Sequence, residues 1–158
     1  MNLGRLSNGE RIAVVSAILL CAFMLFHWFD VKAVNTSPLL FAIQSVLPGK
    51  NAWQALEVIP VVLLITILGT LAVAVLRLTN SLRKDSAPVN AVVAILGLAS
   101  VLLILYRIID PPVFDVEPTI TLEGAVQFPI FLALAAAAGV AFGGFLALRE
   151  ELRGGGSG

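Results

Sequence analysis

Apolar residues gather in four long stretches of this sequence, and polar residues fall mostly between them. The stretches cover residues 12–29, 58–78, 89–109 and 125–148. Each is close to the ~20 residues with which a helix rising ~1.5 Å per residue crosses a bilayer core. Because the connections are short, consecutive helices are expected to be neighbours. We therefore predict an all-α membrane protein in which residues 1–153 form a single four-helix transmembrane bundle.

Composition supports this class and excludes others. Of the 158 residues, 59% are hydrophobic, and the mean hydropathy of +0.99 lies far outside the range of soluble domains. The formal net charge of zero gives no reason to expect a nucleic-acid partner. With one cysteine and one histidine, neither an intramolecular disulfide nor a metal site is expected, and no cofactor motif is found. Cys21 is interpreted as a small buried hydrophobe.

The first apolar stretch follows Arg5 and Arg11, as a signal peptide would. It is too long for the apolar region of a signal peptide, and it ends in aromatic and charged residues rather than in small ones. We therefore expect a retained span. Residues 154–158, Gly-Gly-Gly-Ser-Gly, have the composition of a flexible linker or a cloning remnant and are left out of the predicted domain.

Basic residues next to the stretches are distributed unevenly. The larger set comprises Arg5, Arg11, Arg77, Arg83, Lys84, Arg149 and Arg153, and the smaller set comprises Lys32, Lys50 and Arg107. The positive-inside rule therefore predicts that both termini and the loop of residues 79–88 are cytoplasmic. Pro88 suits the opening of the third helix. The predicted outer side collects the acidic residues Asp30, Glu57, Asp110, Asp115, Glu117 and Glu123.

The two outer loops carry weak signals for other elements. Residues 31–34 alternate weakly, and residues 119–122 alternate within a stretch, 113–122, that predicts a short strand. We therefore expect a small β patch in the outer loops. Asn51 suits the N-cap of a short helical turn over residues 52–55.

Small residues indicate where helices can approach closely. Ala135, Gly139 and Gly143 lie at four-residue steps in the fourth stretch, and Gly144 widens the same ridge. In a bilayer, such faces carry much of the association between helices. Two interpretations stay open, because the ridge can pack within one bundle or form the seam of a homo-oligomer.

Five polar residues are expected at the outer membrane interface. They are His27, Asp30, Glu57, Arg107 and Asp110. The spacing of His27 and Asp30 puts them on one helix face if the first helix extends that far. In one interpretation, Arg107 only snorkels towards the surface within a belt formed by Trp28, Trp53 and Tyr106. In the other, Arg107 pairs with Asp110 or Glu57 and lines a pocket that binds an anionic group.

The polar residues noted inside the stretches are hydroxyls, Ser16, Thr66, Thr70 and Ser100, which are expected to bond to carbonyls of their own helices. With no ionisable group expected at mid-membrane, ion-coupled transport is disfavoured. With no nucleophile set, enzymatic activity is disfavoured too. The leading hypothesis is a non-enzymatic structural, assembly or accessory protein that associates with itself or other membrane proteins. The alternative is an oligomeric pore or a small-solute or lipid transport protein with a polar pocket at the outer interface. Its selectivity would come from an outer ring of acids, Asp115, Glu117 and Glu123.

Several segments together resemble a group of four-span membrane proteins common in actinobacterial genomes. They are Asn51-Ala52-Trp53-Gln54-Ala55, Tyr106-Arg107-Ile108-Ile109-Asp110-Pro111-Pro112 and Leu148-Arg149-Glu150-Glu151. The resemblance implies a bacterial inner membrane and the same topology, and it implies no activity. The layout is also similar to that of claudin-like and connexin-like tetraspan proteins, but the paired loop cysteines of those families are absent.

Overall fold

The structure, a computed structural model, describes residues 6–33, 50–55, 58–79, 87–111, 113–117 and 120–154. These residues form four long helices and one short helix. The long helices are α1 (Asn8–Met24), α3 (Ile59–Leu78), α4 (Ala87–Ile109) and α5 (Phe128–Gly154), and the short one is α2 (Ala52–Ala55). The predicted helical turn over residues 52–55 is thus α2, and Pro88 is the second residue of α4 as expected.

The four long helices pack side by side in a ring. Helix α5 packs closely against α1 and α4, while α3 closes the ring by contacting α1 and α4. Helices α3, α4 and α5 are each long and apolar enough to cross a membrane. Helix α1 has 17 residues and is the shortest of the four. The structure is therefore mostly helical, with three helices that are compatible with membrane spans.

A small antiparallel sheet covers one end of the bundle. Its strands are β1 (His27–Ala33), β2 (Lys50–Asn51), β3 (Val113–Glu117) and β4 (Ile120–Val126), in the order β2-β1-β4-β3. Strand β1 pairs with β4, which joins the segment after α1 to the segment before α5. The prediction of a small sheet in these loops is confirmed. We call this the sheet end, and the opposite end, where α1 begins and α5 finishes, the terminal end.

Two helices, α1 and α5, differ from the predicted stretches at both of their ends. Helix α1 covers Asn8–Met24 rather than 12–29, because a capping box of Ser7 and Glu10 starts it early and the aromatic residues after Met24 enter β1. Helix α5 covers Phe128–Gly154 rather than 125–148, because residues 125 and 126 end strand β4. An apolar run has the same composition whether it becomes a buried strand or a helix, so its ends are poorly defined by composition.

The apolar core is densest towards the sheet end. Leu20, Met24, Trp28, Phe29 and Ile130 are almost wholly buried there, together with side chains from α3 and α4. Nearer the terminal end, a second group of smaller residues, Ala13, Ala17, Val93 and Val140, fills the interior. Cys21 faces outwards, so the expectation that it is buried is wrong. On α1, Cys21 follows the buried Leu20 and is rotated from it by about 100° around the helix axis, which is enough to turn it outwards.

Three glycines of α5, Gly139, Gly143 and Gly144, face other helices of the same bundle. A Cβ atom on Gly143 would lie 2.5 Å from the Ala13 nitrogen of α1, and one on Gly144 would lie 2.7 Å from the Ala94 nitrogen of α4. A Cβ atom on Gly139 would overlap Ser16. These three positions therefore set the close spacing of α5 with α1 and α4, while Ala135 is exposed.

Candidate functional site: a polar cluster joining four helices

The candidate site starts at the first turn of α1. The Ser7 hydroxyl accepts a hydrogen bond from the Glu10 amide at 3.2 Å, and the Ser7 amide donates to Glu10 Oε2 at 2.9 Å. This reciprocal arrangement satisfies amide groups that a helix start leaves unpaired. It also fixes the carboxylate of Glu10, a buried residue, so that its second oxygen points towards Arg77 of α3.

Arg77, in the last turn of α3, lies between two carboxylates. Its Nε is 2.6 Å from Glu10 Oε1, and its Nη2 is 3.4 Å from Glu151 Oε2 on α5. All three side chains are largely buried, with 14% of Arg77, 6% of Glu10 and 13% of Glu151 exposed. Burial weakens solvent screening, so these pairs interact more strongly than surface ion pairs do.

Helix α4 contributes the fourth member. Asn90 is buried, and its Nδ2 donates to Glu151 Oε2 at 2.9 Å. Glu151 therefore accepts from both α3 and α4. We name Glu10, Arg77, Asn90 and Glu151 the four-helix polar cluster, since each comes from a different long helix. Beside it, the Gly9 amide donates to Glu150 Oε2 at 3.4 Å, which adds a second polar link between α1 and α5.

A small cavity lies directly beneath the cluster. Its volume is about 10 Å³, and Glu10, Thr70 and Asn90 line it together with apolar side chains. This is about the smallest space that can hold one water molecule. Among the described residues, no group of three His, Cys, Asp or Glu side chains could hold a metal ion. The cluster therefore has the geometry of an interhelical brace, with two anions fixed around one cation.

This cluster was missed in the sequence-based prediction of sites. Arg77 entered that prediction only as a marker of topology. One local signal was available, because Ser7 followed three residues later by Glu10, just before an apolar run, matches the capping-box pattern. Asn90, a buried amide inside a predicted span, was a second signal. Their convergence on Arg77 and Glu151 depends on the ring of helices and has no local pattern.

The predicted outer group is arranged differently from the expectation. His27 and Asp30 both lie in β1, not on a helix, because α1 ends at Met24. The expectation of a shared helix face is therefore wrong, and a register shift in β1 between His27 and Phe29 also breaks the regular alternation of the strand. Both side chains are exposed, and Asp30 Oδ2 accepts a hydrogen bond from Gln127 Nε2 at 2.6 Å. Glu57 lies outside the described residues.

Arg107 and Asp110 lie together at the end of α4, but their side chains have different partners. Arg107 Nη1 donates to the backbone carbonyl of Asp110 at 3.3 Å, while the Asp110 carboxylate accepts from the Tyr106 hydroxyl at 2.8 Å. The Arg107 guanidinium also lies 5.9 Å from the centre of the Tyr106 ring. Within the described part of the chain, no carboxylate lies at ion-pair distance from Arg107.

The expected aromatic belt also changes. Trp53 and Tyr106 are exposed, but Trp28 is fully buried. The indole Nε1 of Trp28 donates to the Phe23 carbonyl at 2.7 Å, and its own carbonyl accepts from the Gln127 amide at 2.8 Å. Trp28 therefore anchors β1 between α1 and α5 and is not a residue of the lipid interface.

Three of the four hydroxyls inside the predicted spans donate to carbonyls of their own helices, as expected. Thr66 donates to the Val62 carbonyl, Thr70 to the Thr66 carbonyl and Ser100 to the Leu96 carbonyl, all within 2.9 Å. Thr66 and Ser100 also contact each other, with their oxygens 2.9 Å apart. This contact adds a neutral polar link between α3 and α4 near the middle of the bundle.

Comparison with known proteins identifies no relative of the chain. No protein-family model, curated protein or solved structure matches the chain. The resemblance to the actinobacterial four-span group therefore stays a prediction.

Proposed function

We propose that the chain is a four-span integral protein of the bacterial inner membrane, with both termini cytoplasmic, acting as a non-enzymatic structural or accessory component. It assembles with copies of itself or with other membrane proteins. The observation that carries this proposal is the apolar outer surface of α1. Helices α3, α4 and α5 are compatible with membrane spans, so the choice between three and four spans depends on α1.

Helix α1 is apolar on both of its faces. Ala13, Ala17 and Leu20 face the bundle and are buried, whereas Val15 and Ile18 face outwards and are more than half exposed. A helix that is hydrophobic all round is typical of a large core or a membrane. At ~1.5 Å per residue, its 17 residues measure ~25 Å, somewhat short of a ~30 Å hydrocarbon core. A mismatch of this size is tolerated by local thinning of the bilayer.

The proposed orientation is supported by the charges of the two ends. Arg11, Arg77, Arg149 and Arg153 lie at the terminal end, and Arg5, Arg83 and Lys84 adjoin the same helix ends in the sequence. Seven of the ten basic residues on one side are typical of a cytoplasmic face. Asp30 and Asp110 lie at the sheet end, together with the three other basic residues, Lys32, Lys50 and Arg107. The sheet end would accordingly face outwards.

Cysteine labelling tests the four spans and their orientation. In a Cys21→Ser background, Asp110→Cys at the sheet end and Thr79→Cys at the terminal end each place one thiol at an exposed position. A membrane-impermeant maleimide added to intact spheroplasts should label the first variant and should label the second only after permeabilisation. Arg153→Cys is the control for the C-terminal side and should behave like Thr79→Cys. Labelling of Thr79→Cys in intact spheroplasts would contradict the proposed orientation and favour the opposite one.

The packing of the bundle favours a structural role. Leu20, Leu63, Ile104 and Ile130, one from each long helix, are wholly buried and fill the interior. The four-helix polar cluster braces the terminal end, and the sheet covers the other. A single copy is thus a closed, braced unit, so a conduction path would have to form between copies.

Reconstitution separates the structural role from the competing pore. The purified protein in liposomes should give no ion flux above that of protein-free liposomes. The pore alternative predicts reproducible conductance that is lost when Asp115, Glu117 and Glu123 are all neutralised. Asp30→Asn, which neutralises a different acid, is the matched control and should keep the conductance. Conductance that depends on those three acids would overturn the structural proposal.

A further inference from the structure

An open apolar groove runs between α4 and α5 on the outside of the bundle. Its volume is about 520 Å³, within the roughly 300–1,000 Å³ typical of small-molecule sites. Alanines that are half-buried form its floor, and large exposed side chains form its walls. The floor residues are Ala91, Ala94 and Ala141, and the main wall residues are Ile95, Phe142 and Phe145.

The groove exists because the two helices approach each other through glycines. A Cβ atom on Gly97 would lie 2.5 Å from the Ala141 nitrogen, and one on Gly144 would lie 2.7 Å from the Ala94 nitrogen. Short side chains beside such contacts leave a slot that the larger neighbouring side chains cannot fill. Between Ala91 and Leu98 the slot extends for roughly 10 Å along the helix axis, a large part of one ~15 Å leaflet.

The cationic side chain of Arg149 lies where the groove opens towards the terminal end. The guanidinium of Arg149, one turn beyond Phe145, lies 5.9 Å from the centre of the Phe145 ring, a distance typical of a cation–π contact. Arg149 is exposed, and no carboxylate in the described part of the chain lies at ion-pair distance from it. Arg153 follows at the next turn on the same line of the helix and is also exposed.

We propose that this groove binds one acyl chain of an anionic phospholipid of the cytoplasmic leaflet, whose phosphate is held by Arg149. The apolar slot and the cation at its mouth match the two parts of such a lipid. The inference rests on the proposed membrane location, because only then does the cation face the anionic leaflet.

Native mass spectrometry of the full chain tests the site. Delipidated protein in detergent is titrated with phosphatidylglycerol and, separately, with phosphatidylcholine of the same chains. We expect one phosphatidylglycerol to bind more tightly than phosphatidylcholine, by about fivefold if a single basic residue makes the difference. Arg149→Gln should abolish this preference and Arg149→Lys should largely keep it. Inorganic phosphate at millimolar concentration should not displace the lipid, because it has no chain.

A second variant tests the groove independently of the charge. Ala91→Phe fills the floor and should weaken binding of both lipids, whereas Ala72→Phe, at an exposed alanine on α3, should not. Arg107→Gln is the matched charge control at the opposite end. Equal binding of the two lipids by the unmutated chain would overturn the proposal, as would unchanged binding in Ala91→Phe. A dimer that forms without lipid and is abolished by Ala91→Phe would also overturn the proposal, because the groove would then be occupied by a second copy of the chain.

Membrane extraction separates the failure of this site from the failure of the proposed function. A chain that alkaline carbonate releases from membranes would contradict the four-span proposal itself. A chain that resists carbonate but binds both lipids equally would contradict only the groove.

Discussion

The two ends of the bundle are held together by different kinds of interaction. At the terminal end, Arg77 lies between the carboxylates of Glu10 and Glu151, and every long helix contributes one polar side chain. At the sheet end, Trp28 and Phe29 are buried among apolar residues beneath the sheet. Apolar packing is tolerant of small shifts, whereas buried charges must meet their partners. The comparison suggests that the sheet end supplies more of the stability and the terminal end fixes how the helices are aligned.

The largest expected effect is at the sheet end. Trp28→Ala should lower the free energy of unfolding by about 3–5 kcal/mol, because it removes a wholly buried ring and leaves a cavity. The loss can be measured by unfolding in mixed micelles of increasing denaturing-detergent fraction. Trp53→Ala is the control, since that ring is exposed and its removal should cost less than about 1 kcal/mol. Equal losses for the two variants would contradict the different placements of the two tryptophans.

The next largest effect is expected at the terminal end. Arg77→Met keeps the apolar stem but leaves two buried carboxylates without their cation. Loss of one partner of a buried pair costs about 3–5 kcal/mol, and the 14% exposure of Arg77 places the expected loss near the lower limit. Arg153→Met, at an exposed arginine of the same end, should have little effect.

A double-mutant cycle shows whether this loss belongs to the cluster. Glu10→Gln removes one of the two stranded charges, so it should cost less in the Arg77→Met background than in the unmutated protein. The coupling between the two positions should be about 1–3 kcal/mol. Additive effects would mean that the ion pair at 2.6 Å contributes nothing to alignment.

The difference between the two ends also explains what could be predicted from the sequence. Outward-facing and core-facing positions of these helices are both apolar, so composition alone was enough to locate the helices approximately. It did not indicate where Met24 ends α1, because the aromatic residues that follow are equally apolar and enter a strand. The sheet was predicted from alternation in two loops, and its register depends on pairing between segments about a hundred residues apart.

Polar residues were harder to interpret than apolar ones. His27, Asp30 and Asp110 drew attention because they cluster near one predicted interface, yet all three are exposed. Glu10 and Asn90 are buried instead. Glu10 lies beside Arg11 just before the first apolar stretch, and Asn90 lies within the third. Burial of a polar group follows from how helices surround it, so the local sequence does not show which polar residues will meet.

A smaller effect is expected from the small-residue ridge, which lies towards the terminal end. Gly143→Ala places a methyl group against the Ala13 backbone of α1, and overpacking of this kind typically costs about 1–3 kcal/mol. Ala135→Ile, at an exposed position of the same helix, should leave stability unchanged. Native mass spectrometry of both variants addresses the predicted homo-oligomer. A dimer lost in Ala135→Ile, with stability unchanged, would place the seam on the exposed side of α5.

The smallest effect is expected for Arg107, and it tests whether the sheet end contains a charged brace of its own. Arg107→Ala removes a guanidinium that donates to a backbone carbonyl and lies beside an exposed tyrosine ring. Exposed interactions of this kind contribute less than about 1 kcal/mol, so the midpoint of thermal unfolding in detergent should barely move. Arg77→Ala, the same change at the other end, is the matched comparison.

A loss of stability in Arg107→Ala as large as that in Arg77→Ala would mean that Arg107 has a buried anionic partner outside the described residues, where Glu57 lies. The interpretation of an outer polar pocket would then be favoured. The two ends would then be braced alike, and the contrast between them would fail.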